Sequence, residues 1–346
     1  MTGSRQNEQA LFELFRLLYN IEPIACEPIN TSHGDADFRE VIITTLESGE
    51  RFVLKLADND FTFPEKIKVW QRTAEEYRKL GYYCPKIISA QTDDFPIVKY
   101  KGHSCVAYAE EYSPYHPAET RSEDPSAQNK IPRECYEKDA WIMTAKIASE
   151  HLSYTDYPSG YCLFETFCPS DKNDEVLDNA IEWKRHAQTL PQEFQPQVER
   201  IWKLWIENRN ALESIYKQLP TSVFQADLNP TNILIDKSGK FVGIYDFNLC
   251  GKDVFLNYLI RETLDNDYQK ELDAILLRLK LVSKYYHFSE IERQAVSLLY
   301  RCIKPLWFTK TERLKNLKDD IPGIGKLLDE TEYFLTKDID FSQYMN

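Results

Sequence analysis

The sequence has little glycine, 11 residues in 346, and it contains no long apolar run. A membrane-spanning helix needs roughly 18 or more consecutive apolar residues, so we expect no transmembrane segment. The N-terminus also lacks the charged-then-apolar order of a secretory signal. The overall hydrophobic share of 42% is ordinary for globular proteins, so these features together predict a folded protein of the cytoplasm.

Basic residues are outnumbered by acidic ones, and the formal net charge is −13. Binding to nucleic acid depends on clustered Lys and Arg that neutralise phosphates, so we expect no nucleic-acid partner. Acidic charge keeps a protein soluble, and it also attracts cationic ligands. The charge therefore leaves a cationic small-molecule substrate open.

Clustered metal-binding side chains are absent as well. The eight cysteines are dispersed without a C-x-x-C pair, and the six histidines do not group in the sequence. Zinc sites need closely spaced Cys and His, so the sequence predicts reduced thiols and no zinc.

The chain length predicts two lobes, because single hydrophobic cores stop growing at about 250–300 residues. A polar, proline-containing stretch runs from Tyr112 to Pro132, which favours a boundary near Tyr112. We therefore expect an α+β chain with a β-rich N-terminal lobe at 1–112 and a mostly helical C-terminal lobe at 113–346.

Patterns in the first part predict a sheet and one main helix. Runs at 41–46 and 51–56 flank Glu47-Ser48-Gly49-Glu50 and indicate a hairpin that delivers Lys55 near a strand end. Residues 64–80 show helical spacing. On that helix Glu76 lies at the edge of the apolar stripe and Glu75 points away, so Glu76 is the favoured ion-pair partner of Lys55 and Glu75 the alternative.

The remaining patterns complete the outline. Further short strands are predicted before residue 112, at 86–89, 97–100 and 104–110. Helical patterns follow at 134–154, 176–189, 192–218, 266–285, 288–306 and 321–336. A β interruption within them comprises 222–224, 233–235 and 241–245.

Polar residues in this interruption carry the chemistry. Asp227 is followed five residues later by Asn232, and Asp246 ends the next predicted hairpin. Phosphoryl transfer needs a carboxylate for the acceptor and hard oxygen ligands for Mg²⁺ over the phosphates. An Asp, an Asn and a second Asp in this order are typical of a kinase-type catalytic loop and metal site.

The segments Gln225-Ala226-Asp227-Leu228-Asn229-Pro230-Thr231-Asn232 and Ile244-Tyr245-Asp246-Phe247-Asn248 resemble the motifs of the aminoglycoside phosphotransferase and choline kinase superfamily. That family has a bilobal protein-kinase-like fold and uses ATP with Mg²⁺. The resemblance implies a catalytic Asp227, metal ligands Asn232 and Asp246, and Lys55 on the ATP phosphates. It also implies an adenine site at the hinge from Glu110 to Ser113, which includes Glu111 and Tyr112 and where backbone groups rather than side chains do the bonding.

The sequence departs from the family at several positions. Gln225 replaces the usual His, Ala226 the usual Gly, and Asn248 the glycine of the metal-binding turn. The expected phosphate loop at 30–37 has one glycine, so Ser32 and the backbone at Gly34 are the predicted phosphate contacts, and an ordinary polar turn is the alternative.

We therefore expect an ATP-dependent kinase that phosphorylates a hydroxyl of a small molecule such as an amino sugar or amino alcohol. The substituted positions leave a second hypothesis, an inactive pseudo-kinase that binds a nucleotide or a partner. A protein kinase is disfavoured, because no A-P-E-like segment follows Asp246. In the stretch after it, Asp253 and Asn257 are expected to pair in a structural role that supports the catalytic loop.

Overall fold

The computed structural model describes residues 2–34, 36–92, 94–120 and 130–345. Asp35 of the expected phosphate loop and residues 121–129 of the polar stretch lie outside this range. The first part of the chain forms these elements: α1 (Thr2–Tyr19), β1 (Pro23–Asn30), β2 (Phe38–Leu46), β3 (Arg51–Asp58), α2 (Pro64–Lys79), β4 (Ile87–Ile88), β5 (Ile97–Tyr100), β6 (His103–Glu111) and β7 (His116–Pro117).

Helices dominate the rest of the chain. The elements are α3 (Glu137–Ser149), α4 (Glu175–Ala187), α5 (Gln195–Tyr216), β8 (Thr221–Phe224), β9 (Ile233–Ile235), β10 (Phe241–Ile244), β11 (Gly251–Val254), α6 (Phe255–Glu262), α7 (Tyr268–Val282), α8 (Glu290–Ile303), α9 (Phe308–Leu317) and α10 (Ile321–Thr336). The predicted α+β class is confirmed.

Backbone packing divides the chain into two compact units that interleave in sequence. The first unit comprises Met1–Ala140, Cys168–Ser170 and Asp227–Cys250, and the second comprises Trp141–Phe167, Asp171–Ala226 and Gly251–Asn346. The predicted lobes at 1–112 and 113–346 have different bounds from these two units, and the predicted lobe boundary stays a prediction.

The first unit is built on an antiparallel sheet in the order β1-β2-β3-β6-β4, and β5 also pairs with β6. The predicted hairpin is β2–β3, and Gly49 adopts φ +84° in its turn, a conformation that glycine reaches without strain. One face of this hairpin buries Ile42 and Leu54 against Leu11 and Phe15 of α1. Side chains of opposite parity, including Lys55, occupy the other face.

The second unit is mostly helical, with a buried core that includes Trp183 and Trp205. The indole N–H of Trp205 donates to the carbonyl of Cys302 at 2.8 Å, so this large ring has a polar partner. At the start of α8, Ser289 and Glu292 form a capping box, which satisfies two backbone N–H groups at the beginning of the helix. Among the described residues, no helix combines the length and apolar character that a membrane span requires.

A buried polar network in the second unit supports β8, the strand that precedes the loop of Asp227, through its partner strand β11. β11 pairs with β8, and Asp253 on β11 is 4% exposed. Its carboxylate accepts hydrogen bonds from Asn257 at 3.1 Å and Ser159 at 2.6 Å. Burial raises the pKa of Asp253 above its usual value, and these hydrogen bonds offset only part of that rise. The expected pairing of Asp253 with Asn257 is therefore present as a structural contact.

Candidate active site

Lys55 lies near the end of β3, and its ammonium group contacts two carboxylates of the first unit. Nζ lies 3.0 Å from Oε1 of Glu110 and 3.3 Å from Oδ1 of Asp246. Lys55 pairs with Tyr108 across the sheet, and Glu110 is two residues further along the same face of β6. Burial lowers the pKa of Lys55, but the two carboxylates offset this and raise it well above its usual range. Lys55 is therefore positively charged, and its two ion pairs hold the ammonium group in place.

Glu76 does not contact this lysine, so the predicted Glu76–Lys55 ion pair is wrong. Its carboxylate instead accepts a hydrogen bond from Lys79 on the same helix at 2.9 Å. The alternative, Glu75, is exposed. The strand register brings Glu110 next to Lys55, and helical spacing brings Glu76 next to Lys79. Alternation along β6 was the sequence signal that could have identified Glu110.

The loop after β8 folds around the side chain of Asp227. Asn232 donates from Nδ2 to the carbonyl of Asp227 at 3.0 Å and to its Oδ2 at 3.1 Å. Asn229 donates to Oδ1 at 2.5 Å. The five-residue spacing of Asp227 and Asn232 thus serves a closed loop, in which the asparagine fixes the carboxylate.

The β9–β10 hairpin brings Asp246 to the same end as Asn232. Ile244 pairs with Ile233, and the N–H of Tyr245 donates to the carbonyl of Asn232 at 3.1 Å. Asp246 has φ +62°, in the left-handed region that few residues other than glycine, asparagine and aspartate adopt. The turn after β10 is therefore a special backbone site that directs the Asp246 carboxylate toward Lys55.

Close backbone contact anchors β10. Gly243 lies against Tyr83, whose N–H donates to Val242 at 2.9 Å and whose carbonyl accepts from Ile244 at 3.0 Å. A Cβ on Gly243 would meet the Tyr83 carbonyl oxygen at 1.8 Å, so no side chain fits there. This contact fixes the strand that carries Asp246.

A cavity of about 550 Å³ opens on the Lys55 face of the sheet. This volume lies within the range of about 300–1,000 Å³ that is typical of small-ligand sites. Lys55, Glu110 and Asp246 stand in its wall beside apolar side chains of β2 and β3. Of the predicted site residues, the described lining includes Lys55, Glu111, Tyr112 and Asp246, and it omits Ser32, Gly34, Glu76, Asp227 and Asn232.

The predicted hinge forms one side of this cavity, but its backbone is partly engaged. The N–H of Glu111 donates to Lys86 at 3.0 Å, and that of Tyr112 donates to Arg51 at 3.3 Å. The next N–H, of Ser113, donates to no described residue, and Ser113 also lines the cavity. Ser113 is therefore the hinge residue with a backbone donor to offer, which the sequence did not distinguish from its neighbours.

Ser32 is engaged within the predicted phosphate loop. Its hydroxyl donates to the carbonyl of Arg39 at 3.2 Å and accepts from the N–H of Arg39 at 2.9 Å. Gly34 has φ +81° and open space around its Cα. Ser32 thus closes the β1–β2 turn, and contact of Ser32 and Gly34 with phosphate stays a prediction.

The donors at the β9–β10 hairpin suit a hard divalent cation. Asn232 uses its Nδ2 for hydrogen bonds, so its carbonyl oxygen points away from them, and Asp246 supplies a carboxylate. Oδ1 of Asn248 lines the same region as a buried acceptor without a hydrogen bond from any described residue. The described residues contain no group of three or more His, Cys, Asp or Glu side chains suited to a metal. These oxygen donors fit a divalent cation that takes its remaining ligands from phosphate and water.

The other departures from the family lie before the loop. Gln225 and Ala226 are fully buried in the second unit. The carbonyl of Ala226 accepts a hydrogen bond from Arg261 at 2.8 Å, and the Arg261 guanidinium packs over Tyr161. Both substitutions are thus part of packed structure at the base of the catalytic loop.

A model described as the phosphotransferase enzyme family matches residues 29–257, which include the cavity wall, the catalytic loop and the β9–β10 hairpin. The chain belongs to this family. Membership makes it a phosphotransferase enzyme, as predicted, and the match gives no support to the inactive pseudo-kinase. No curated protein matches the sequence.

Solved structures place this phosphotransferase among kinase-like folds. An amicoumacin kinase, hAmiN, in complex with AMP-PNP, Ca²⁺ and Ami is 15% identical, with a TM-score of 0.52 over 99% of this chain and 98% of that chain. A microcompartment-associated aminopropanol kinase is 13% identical, with a TM-score of 0.54 over 98% of this chain and 99% of that chain. These likenesses confirm the predicted kinase-like fold.

Proposed function

We propose that this phosphotransferase transfers the terminal phosphoryl group of ATP to a hydroxyl group of a small molecule. The carrying observation is the contact of Lys55 with Asp246 at 3.3 Å in the wall of the cavity, because it joins a sheet lysine to the hairpin that follows the catalytic loop. Phosphoryl transfer depends on such positioned charges more than on covalent chemistry.

Each residue has one role in the proposal. The Asp227 carboxylate orients the acceptor hydroxyl and takes its proton, and Asn232 holds that carboxylate in place. The Lys55 ammonium binds phosphate oxygens, and Glu110 keeps it in the cavity wall. Asn232 and Asp246 are the proposed ligands of Mg²⁺, which would neutralise phosphate charge when bound.

The base of ATP is proposed to lie along the hinge, where Tyr112 and Ser113 line the cavity and the Ser113 N–H donates to no described residue. The Tyr112 ring already stacks under the Arg51 guanidinium at 3.8 Å. Among solved relatives, the amicoumacin kinase complex contains AMP-PNP, which supports a nucleotide in this fold.

A cationic acceptor is the favoured substrate class. The second unit contains a separate cavity of about 520 Å³ whose wall includes the acidic residues Glu165, Asp171 and Asp178 and the aromatic residue Phe308. Carboxylates attract amines, and aromatic faces bind cations. The name of the aminopropanol kinase is in keeping with an amino alcohol.

The eight cysteines are all free thiols, which supports a reducing compartment such as the cytoplasm.

Asp227→Asn tests the central role. The variant keeps the size of the side chain, and its amide oxygen can still accept from Nδ2 of Asn232, although it loses the second oxygen, which accepts from Asn229. We therefore expect Mg²⁺–ATP binding to persist while turnover falls about 10³-fold or more. Binding is measured by calorimetry, and turnover by ADP release with panels of amino alcohols, amino sugars and neutral polyols. Retained turnover in this variant would contradict the assignment, and preference for neutral polyols would contradict the cationic acceptor.

A further inference from the structure

A second cation shares the cavity wall with Lys55. Arg39 on β2 pairs with Ala57, and Val41 two residues later pairs with Lys55, so Arg39 and Lys55 are diagonal neighbours on one face of the sheet. Both side chains line the 550 Å³ cavity. Arg39 is the nearer of the two to the β1–β2 turn.

Protein contacts fix the Arg39 guanidinium. One terminal nitrogen lies 2.9 Å from Oδ2 of Asp37, and Asn59 donates to the other oxygen of that carboxylate at 2.9 Å. The guanidinium carbon lies 5.8 Å from the centre of the Phe61 ring. Nε of Arg39 is buried and donates to no described residue. A buried N–H without an acceptor is unfavourable, so this guanidinium is preorganised for an acceptor that enters the cavity.

Four of the described N–H groups in the β1–β2 turn already have acceptors within the protein. The N–H groups of Thr31, Ser32, His33 and Asp37 all bond within the turn or the adjoining strands. The Ser32 hydroxyl is bonded to the Arg39 backbone. A phosphate that reaches this end of the sheet would therefore find few free peptide N–H groups among the described residues of the turn, and it would meet the Arg39 side chain.

We propose that Arg39 binds the terminal phosphates of the nucleotide and supplies donors in addition to the few that the glycine-poor turn offers. Guanidinium groups match phosphate geometry with two parallel N–H donors, and they keep their charge at every physiological pH. Lys55 then binds the phosphates nearer the nucleoside, and Asp37 orients Arg39. This inference rests on the proposed ATP site.

Calorimetric binding of adenosine, ADP and ATP, each with Mg²⁺, tests the inference. Arg39→Gln should weaken ATP binding about tenfold to a hundredfold, the range expected for a lost charged hydrogen bond, and should leave adenosine binding within about twofold. Arg39→Lys keeps the charge but lacks the two parallel N–H donors, so it should show an intermediate loss of ATP affinity. It also gives a comparison if the Gln variant is unstable. Arg16→Gln on α1 is the matched control, because Arg16 is 62% exposed and does not line the described cavity.

The outcomes separate this inference from the proposed function. Equal losses for adenosine and ATP in Arg39→Gln, or no loss for either, would overturn the phosphate role of Arg39 while ATP binding by the wild type upholds the ATP site. Wild-type protein that binds none of the three ligands would overturn the proposed function, and the role of Arg39 with it.

Discussion

Replacing Glu110 by Gln tests which carboxylate holds Lys55. The Glu110 and Lys55 side chains are 7% and 13% exposed, and their charged atoms lie 3.0 Å apart. Removing one partner of a buried ion pair costs about 3–5 kcal/mol when the other charge is left alone. Asp246 remains 3.3 Å from Lys55 and Gln keeps the volume, so we expect a smaller loss, about 1–3 kcal/mol of unfolding free energy.

Glu76→Gln is the matched control, since the helical pattern of α2 predicted Glu76 as the ion-pair partner of Lys55. Its partner Lys79 is 67% exposed, and such surface pairs contribute less than about 1 kcal/mol. We therefore expect its unfolding free energy to stay within about 0.5 kcal/mol of the wild-type value.

Denaturant unfolding of both variants gives the comparison, and a double-mutant cycle with Lys55→Met isolates the pair. Lys55→Met leaves the Glu110 carboxylate buried without its nearest cation, so the double variant Lys55→Met/Glu110→Gln should be more stable than the sum of single losses predicts, by about 1–3 kcal/mol. A Glu76→Gln variant as damaging as Glu110→Gln, or a cycle with no coupling, would refute the reasoning.

Two further predictions concern stability. Gly243→Ala should cost about 2–3 kcal/mol of unfolding free energy, because its Cβ would meet the Tyr83 carbonyl oxygen at 1.8 Å. Gly325→Ala on α10 is the control, because its Cβ makes an ordinary contact at 3.5 Å and should not destabilise the protein. The urea midpoints of the two variants are compared with that of the wild type. Burial lowers the pKa of Lys304 to about 8 from 10.5, so this side chain binds fewer protons in the folded state between these values, and its own contribution to the unfolding free energy should rise with pH there. Lys304→Met should flatten that rise in urea unfolding from pH 8 to 10, and an unchanged slope would contradict the assignment.

Elements with a strong local pattern could be predicted from the sequence. The β2–β3 hairpin has β-branched strands on both sides of a glycine turn, and α2 begins with a proline and carries a continuous apolar stripe. The loop that holds Asp227 and Asn232 was recognisable because its function requires fixed residue types at fixed spacing. Local chemistry was sufficient in these cases.

Features that depend on distant strands could not be predicted in the same way. β1 (Pro23–Asn30) is a mostly exposed edge strand with proline at its first position, so it lacks the alternation of a half-buried strand. The contact of Glu110 with Lys55 follows from the β3–β6 register, which joins segments about fifty residues apart. α9 (Phe308–Leu317) is short and mostly polar, so its few buried positions gave a weak period.

The backbone of Asp246 has a consequence for how mutations of this residue are interpreted. At φ +62°, alanine is strained by about 1–2 kcal/mol, while asparagine and glycine reach the same conformation easily. An alanine variant thus combines a lost carboxylate with a displaced turn. Asparagine removes only the charge, and glycine removes the side chain but leaves the turn intact. Comparison of these two variants with the alanine variant therefore separates the electrostatic role of Asp246 from the shape of the hairpin that bears it.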